Sequence, residues 1–297
     1  MSTRKQFLQS LALLPLAGAA MKLNELNQLT TPFRTTEKMP VLFLGHGSPM
    51  NAIEENEFVS GFRKVGREIA KPNAILCLSA HWETSGTFVT AMQNPPTIHD
   101  FGGFPQELFQ VQYPAKGSPE LANETKTLVK KTNIGLDEKW GLDHGAWSVI
   151  KHLYPDADVP VIQMSLDRSQ TPQQHYELAQ ELKALRKKGV LIIGSGNMVH
   201  NLGMIRWDKM QADNFALDWA AEASEKMKQF ILNDDHASLI NYHKQGRAFQ
   251  LSIPSPEHYL PLLYTLALKD KTETVHLFND KAVAGSLTMT SVKIDTA

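Results

Sequence analysis

A chain of 297 residues with 42% hydrophobic and 21% charged side chains can bury a continuous core and has the composition of an ordinary soluble globular protein. Its formal net charge of -1 gives no electrostatic case for nucleic acid or an anionic membrane surface as partner. The single Cys77 excludes an internal disulfide and, inside an apolar run, reads as a buried inert thiol, which leaves the eleven histidines as the compositional clue.

At the N-terminus, Arg4 and Lys5 precede the apolar residues 7–16, and Ala17-Gly18-Ala19-Ala20 follows, the charged, apolar, small-residue order of a secretory signal. The apolar part is too short to span a bilayer as a mature helix. Thr3-Arg4-Lys5-Gln6-Phe7-Leu8-Gln9 resembles a twin-arginine export signal, with Lys5 where a second Arg is usual. Residues 1–20 are therefore expected to send a folded protein to the periplasm; the alternative is an amphipathic N-terminal helix on a cytoplasmic one. The polar residues 21–38 read as a linker. Residues 39–297 contain no internal repeat, low-complexity tract or charge block, and read as one domain.

Within that domain, Val41-Leu42-Phe43-Leu44 is an apolar run stopped by Gly45-His46-Gly47-Ser48-Pro49, which predicts a buried strand delivering His46 at its carboxyl end. Residues 52–69 predict a helix. The strand beginning at Ala74 runs into His81-Trp82, and residues 87–92 predict another. Residues 95–105, rich in Pro and Gly, predict a long functional loop at the rim or lid of a pocket. Helices are expected over 119–131 and after the Asp143-His144-Gly145 loop, then a strand over 159–166 and a helix over 172–188 with Gly189 as its stop. The run 190–197 is the next buried strand, leading to His200. Helices over 214–231 and 236–244, a turn at 254–259 opening a buried helix to about Leu268, and a closing strand over 285–294 complete the chain. Strands alternating with helices predict an α/β, single-domain sandwich with a central, mainly parallel, mixed sheet flanked by helices.

Three buried strands that each lead to a histidine predict one shared site, at the carboxyl ends where open α/β sheets bind ligands. His46, between glycines that permit close approach, and His81, between Ala80 and Trp82, are candidate metal ligands. His200 lies between Asn197 and Asn201, either of which could orient its ring. Glu257-His258 offers two candidates for a third ligand. His144 is a candidate substrate contact or partner of a ligand, and His99 beside Asp100 a weaker one. His152, His175, His236, His243 and His276 have no special framing and read as surface or packing residues. The chain carries no His-Glu-x-x-His pair, Walker loop, Rossmann glycine fingerprint or Gly-x-Ser-x-Gly elbow.

Six ordered motifs, Phe43-Leu44-Gly45-His46-Gly47-Ser48-Pro49-Met50, Ser79-Ala80-His81-Trp82, the run 95–105, Trp140-Gly141-Leu142-Asp143-His144-Gly145, Gly196-Asn197-Met198-Val199-His200-Asn201-Leu202 and Pro256-Glu257-His258-Tyr259-Leu260-Pro261-Leu262, closely resemble the bacterial 4,5-DOPA extradiol dioxygenases. These are class III ring-cleaving enzymes, similar to the large subunit of protocatechuate 4,5-dioxygenase, and the export-like extension departs from their usual cytoplasmic form. The resemblance implies metal ligation by His46 and His81, a further ligand from Glu257-His258, and His200 as ligand or acid/base, with His144 as the alternate acid/base. It implies one Fe(2+) or Zn(2+) per chain, a catechol and O₂ as partners, and a nearby histidine that shuttles the proton during ring opening. Trp82, Phe101, Phe104 and Tyr259 are candidate walls for a flat ring. A zinc hydrolase and a non-catalytic metal- or catechol-binding protein are the competing readings.

Overall fold

A computed structural model describes residues 36–296, so the expected export signal and nearly all of the expected linker lie outside the described residues. Thr36 and Lys38, at the end of that linker, are bonded to the domain: the Thr36 amide donates to the Lys187 carbonyl at 2.7 Å, and Lys38 Nζ lies 2.8 Å from Glu273.

The strands are β1 (Val41–Gly45), β2 (Ala74–Thr84), β3 (Thr87–Thr90), β4 (Ile134–Asp137), β5 (Val161–Asp167), β6 (Val190–Gly196), β7 (Glu273–Phe278), β8 (Ala282–Val283), β9 (Leu287–Thr288) and β10 (Ser291–Thr296). Eight form one sheet in the order β4-β3-β5-β2-β6-β1-β10-β7, and β8 pairs with β9 apart from it. The central four, β5, β2, β6 and β1, are mutually parallel; β10 and β3 join their neighbours β1 and β5 antiparallel. β1, β5 and β6 are buried along their whole length, which is why they read as mainly apolar runs, interrupted by Gln163, Ser165 and Ser195, rather than alternating ones.

Helices α1 (Glu57–Glu68), α2 (Pro119–Leu128), α3 (His144–Leu153), α4 (Pro172–Glu181), α5 (Asp218–Leu232) and α6 (Leu260–Ala267) are the longer ones. α1 packs on α3, and α4 on α6. Adjacent positions of β6 separate the two layers. A Cβ on Gly194 would meet the Pro261 carbonyl and Thr265 of α6, whereas the Ser195 hydroxyl donates to the Gly145 carbonyl of α3. No helix among the described residues is long and apolar enough to cross a membrane.

Several boundaries differ from expectation for local reasons. The helix expected from residue 52 starts at Glu57, because the Asn56 side chain caps it by accepting from the Val59 amide; a 3-10 turn, Pro49–Ala52, precedes it. The helix over 172–188 breaks at Leu182 into α4 and a short turn, Lys183–Arg186. The closing strand divides into β9 and β10, and β4 and β7 were not foreseen: both are half-exposed edge strands without a long apolar run.

At the amino ends of the parallel strands, Arg186 is almost wholly buried, and all three of its guanidinium nitrogens are bonded. It donates to the Met39 and Leu268 carbonyls and forms a two-pronged pair with Glu273, which Lys38 also contacts.

Candidate functional site: a histidine cluster at the carboxyl ends of the parallel strands

β2, β6 and β1 are neighbours, so the segments leaving their carboxyl ends meet. β1 ends at Gly45 and presents His46. β2 continues irregularly to Thr84, with a break in register between Leu78 and Glu83, so His81 sits inside an irregular part of the strand rather than in a loop after it. His258 arrives from the turn before α6. Its backbone carbonyl accepts the Asn197 amide at 2.9 Å, and a Cβ on Gly196 would stand 2.1 Å from that carbonyl oxygen. Only glycine lets the turn come this near the strand end.

One ring nitrogen from each of His46, His81 and His258 lies within 4.8 Å of the other two. His46 Nε2 and His81 Nε2 are 3.2 Å apart. Two nitrogens each about 2.0–2.1 Å from one ion would be separated by that distance at an angle of roughly 100°. The network behind the rings makes those nitrogens available. Ser195 spends its hydroxyl proton on the Gly145 carbonyl, so its oxygen accepts from His46 Nδ1 at 3.0 Å and leaves Nε2 with a lone pair. His258 Nδ1 lies 3.2 Å from a Glu257 carboxylate oxygen that also accepts from Ser255, which frees its own Nε2 in the same way. Burial, then the neighbouring imidazoles, hold His46 well below its usual pKa; burial and the proximity of His144 push His81 to about 2. Both rings are neutral near pH 7, the form that binds metal. The donor set fits one Fe(2+) or Zn(2+).

Glu257 thus stands behind His258. Burial opposes its charge, but the bonds from His258 and Ser255 outweigh that and hold it at about 2. His200 lies four residues past β6 and stacks on His258, with ring centroids 3.6 Å apart and planes 5° apart. Burial, then His258, lower its pKa to about 3. The asparagines beside it do not orient its ring: Asn197 donates to the Thr288 carbonyl and Asn201 to the Leu251 carbonyl, so both brace backbone. His144 opens α3, and its ring lies 3.8 Å from that of His81 and 5.8 Å from that of His46, centroid to centroid. Five of the six imidazoles singled out from the sequence converge; His99, the weaker candidate, does not join them.

The residues that sequence reasoning missed are the ones that hold these rings. Asp100 bonds both the backbone and the ring of His144 and lies 3.7 Å from His81 Nδ1. Its loop is fastened by paired bonds between residues 96–98 and Leu142, and forms a fixed rim. Ser79 and Ser195 sit opposite one another on β2 and β6, facing α3. Ser79 donates to Asp143, the buried cap of α3, which also accepts from Gln163 and Ala146. Short polar residues inside apolar runs were the available signal. His99 is a structural pin, its Nε2 donating to the Val111 carbonyl. Phe101 meets His144 edge-on and Phe104 beside it; Trp82 is buried and stacks on Trp140. Tyr259 is no pocket wall: it is fully buried, with its hydroxyl on the Leu239 carbonyl.

Residues 40–286 match the family of the catalytic LigB subunit of aromatic ring-opening dioxygenase. The chain is 45% identical over 266 residues to the 4,5-DOPA dioxygenase extradiol of Escherichia coli K12, covering 88% of this chain and 96% of that one. It is 35% identical to the protein of the same name from Beta vulgaris, covering 84% and 94%. A crystal structure of an uncharacterized Escherichia coli K12 protein, 40% identical, superposes with a TM-score of 0.75 over 87% of this chain and all of that one. With that match over most of its length and a convergent set of histidines, the chain belongs to the LigB family and is a metal-dependent extradiol aromatic ring-opening dioxygenase.

Proposed function

We propose that the substrate is a catechol of the L-DOPA type, opened by 4,5-cleavage with O₂ to a muconic semialdehyde, and that the working metal is Fe(2+) held by His46, His81 and His258. The substrate assignment is supported by the relatives named 4,5-DOPA dioxygenase extradiol. The observation that carries the site assignment is the grouping of those three ring nitrogens; His81 also groups with Asp100 and His144, and His258 with Glu257 and His200, within the same 4.8 Å. Bound there, Fe(2+) supplies Lewis acidity toward the catechol oxygens and electron transfer to O₂, while zinc on the same nitrogens supplies only the first.

The chain's own residues do the rest. Phe101 and Phe104 wall the site on the side of His144 and hold a flat ring by its faces and edges. His200, neutral and stacked on His258, takes up a catechol proton at a ring nitrogen and returns it as the ring opens. Ligation is the competing role, since His200 also groups with Glu257 and His258 within 4.8 Å, and iron content of a His200 variant separates the two.

The test is oxygen uptake by anaerobically Fe(2+)-loaded protein with L-DOPA, and a product heavier by two oxygen atoms. Oxygen-independent hydrolysis with zinc would replace this reading with the hydrolase, and saturable catechol binding without turnover with a binding protein. His200→Ala should keep iron and catechol binding and lose roughly 100- to 10,000-fold in kcat. An iron-free variant would make His200 a ligand. We further propose that residues 1–20 export the folded protein to the periplasm; fused to a reporter that needs the twin-arginine route, they should carry it across the membrane.

A further inference from the structure

His144 has a partner that its own sequence neighbourhood does not supply. Asp143, next to it, is spent on Ser79, Gln163 and the Ala146 amide. The carboxylate that reaches His144 is Asp100, 44 residues earlier, and it grips twice. Asp100 Oδ1 accepts the His144 backbone N–H at 2.8 Å, and Oδ2 lies 2.9 Å from ring Nδ1. Two donors therefore meet one carboxyl group: a backbone N–H, which can only donate, and the imidazole ring. An ionised carboxylate can only accept. The proton between the two therefore belongs to Nδ1.

We infer that Asp100 is a positioning residue: it pins His144 in the Nδ1–H tautomer, so that Nε2 is left unprotonated and accepts the hydrogen bond of a catechol hydroxyl held beside the His46 and His81 rings. Three features fix the arrangement. His144 is the first residue of α3, so its backbone is held by the cap. Its ring is wedged between His81, with centroids 3.8 Å apart, and Phe101 at 5.5 Å. Its Nε2 has no hydrogen-bond partner among the described residues. The identity of the hydroxyl rests on the ring-opening reading above; the tautomer does not.

The two can be tested apart. In zinc-loaded full-length protein with ¹⁵N-labelled histidine rings, long-range proton–nitrogen spectra report the tautomer of each ring, and His144→Ala identifies the signal. The expected wild-type form is Nδ1–H. In Asp100→Asn the amide can offer its oxygen to the backbone N–H only by pointing its NH₂ at Nδ1, so the ring proton should move to Nε2. In the iron-loaded variant kcat should fall roughly 10- to 100-fold with metal content unchanged, and Asp100→Glu should recover part of it. A wild-type His144 protonated on Nε2, an Asp100→Asn spectrum that keeps Nδ1–H, or undiminished kcat in that variant would each overturn the assignment. Should Asp100→Asn fail to fold, the wild-type spectrum and Asp100→Glu decide. A wild-type protein that opens no catechol at all would remove the ring-opening reading, while the spectrum would still decide the tautomer.

Discussion

The two ends of the parallel sheet handle buried polar groups in opposite ways. At the amino ends, Arg186 and Glu273 are both about 1% exposed and meet charge with charge, while Met39, Leu268 and Lys38 take the remaining bonds. At the carboxyl ends, five imidazoles crowd together; Ser195, Asp100 and Glu257 take one ring nitrogen each of His46, His144 and His258, while His46 Nε2 and His81 Nε2 stand 3.2 Å apart. Polar atoms left without partners in a low dielectric are costly. One end is satisfied by the protein alone and stabilises the fold; the other is satisfied by what binds, and performs chemistry.

Substitutions at the two ends should separate these roles. His46→Ala or His81→Ala should abolish stoichiometric metal binding and with it turnover, while leaving the metal-free chain folded. Metal analysis and circular dichroism of each variant check this, and unchanged metal content in both would remove the proposed triad. Arg186→Ala should do the reverse: it removes the two-pronged partner of buried Glu273, leaving Lys38 as its remaining cation, and should cost up to about 3–5 kcal/mol of unfolding free energy, with metal per folded chain unaltered. Denaturant titration measures it. A loss under 1 kcal/mol would mean that water or Lys38 satisfies Glu273.

Ser195→Ala should be milder. Without its acceptor the His46 ring loses its fixed tautomer, and metal affinity should fall roughly 10- to 100-fold, read by competition with a chelator. Wild-type affinity would show that packing alone orients the ring.

The smallest effect is in pH dependence. Folded-state pKa values of His46, His81 and His200 lie below 6.5, with burial the first cause, so the unfolded chain takes up protons first. Metal-free protein should therefore lose stability as pH falls below 6.5, and His81→Ala should flatten that slope. Glu273 is opposed by burial but held below 4.5 by Arg186 and Lys38, so its contribution is present above 4.5 and is lost only as pH falls through its lower folded value. Glu273→Gln should change the curve below 4.5 and leave its slope between 4.5 and 6.5 alone. Coincident windows for the two variants would contradict the separation.

Local patterning determined the sheet's centre, because strands buried on both faces must be continuously apolar and their ends must be marked by Gly and Pro. Residues 41–49, 74–81 and 190–200 were legible for that reason, and so was the convergence of His46, His81 and His200, since parallel neighbours bring their carboxyl ends together. His258 was legible only as half of a Glu257-His258 choice. Which of the pair turns inward was decided by the close approach of its backbone to Gly196, a contact across 62 residues that no local pattern encodes. The edge strands β4 and β7 were hidden because one exposed face dilutes the apolar signal. Most of what orients the rings was hidden too: Ser195 on His46 and Asp100 on His144 are pairs 149 and 44 residues apart. A hydroxyl or carboxylate announces its type in the sequence, but its partner is chosen only when packing removes water and leaves it a single donor within reach.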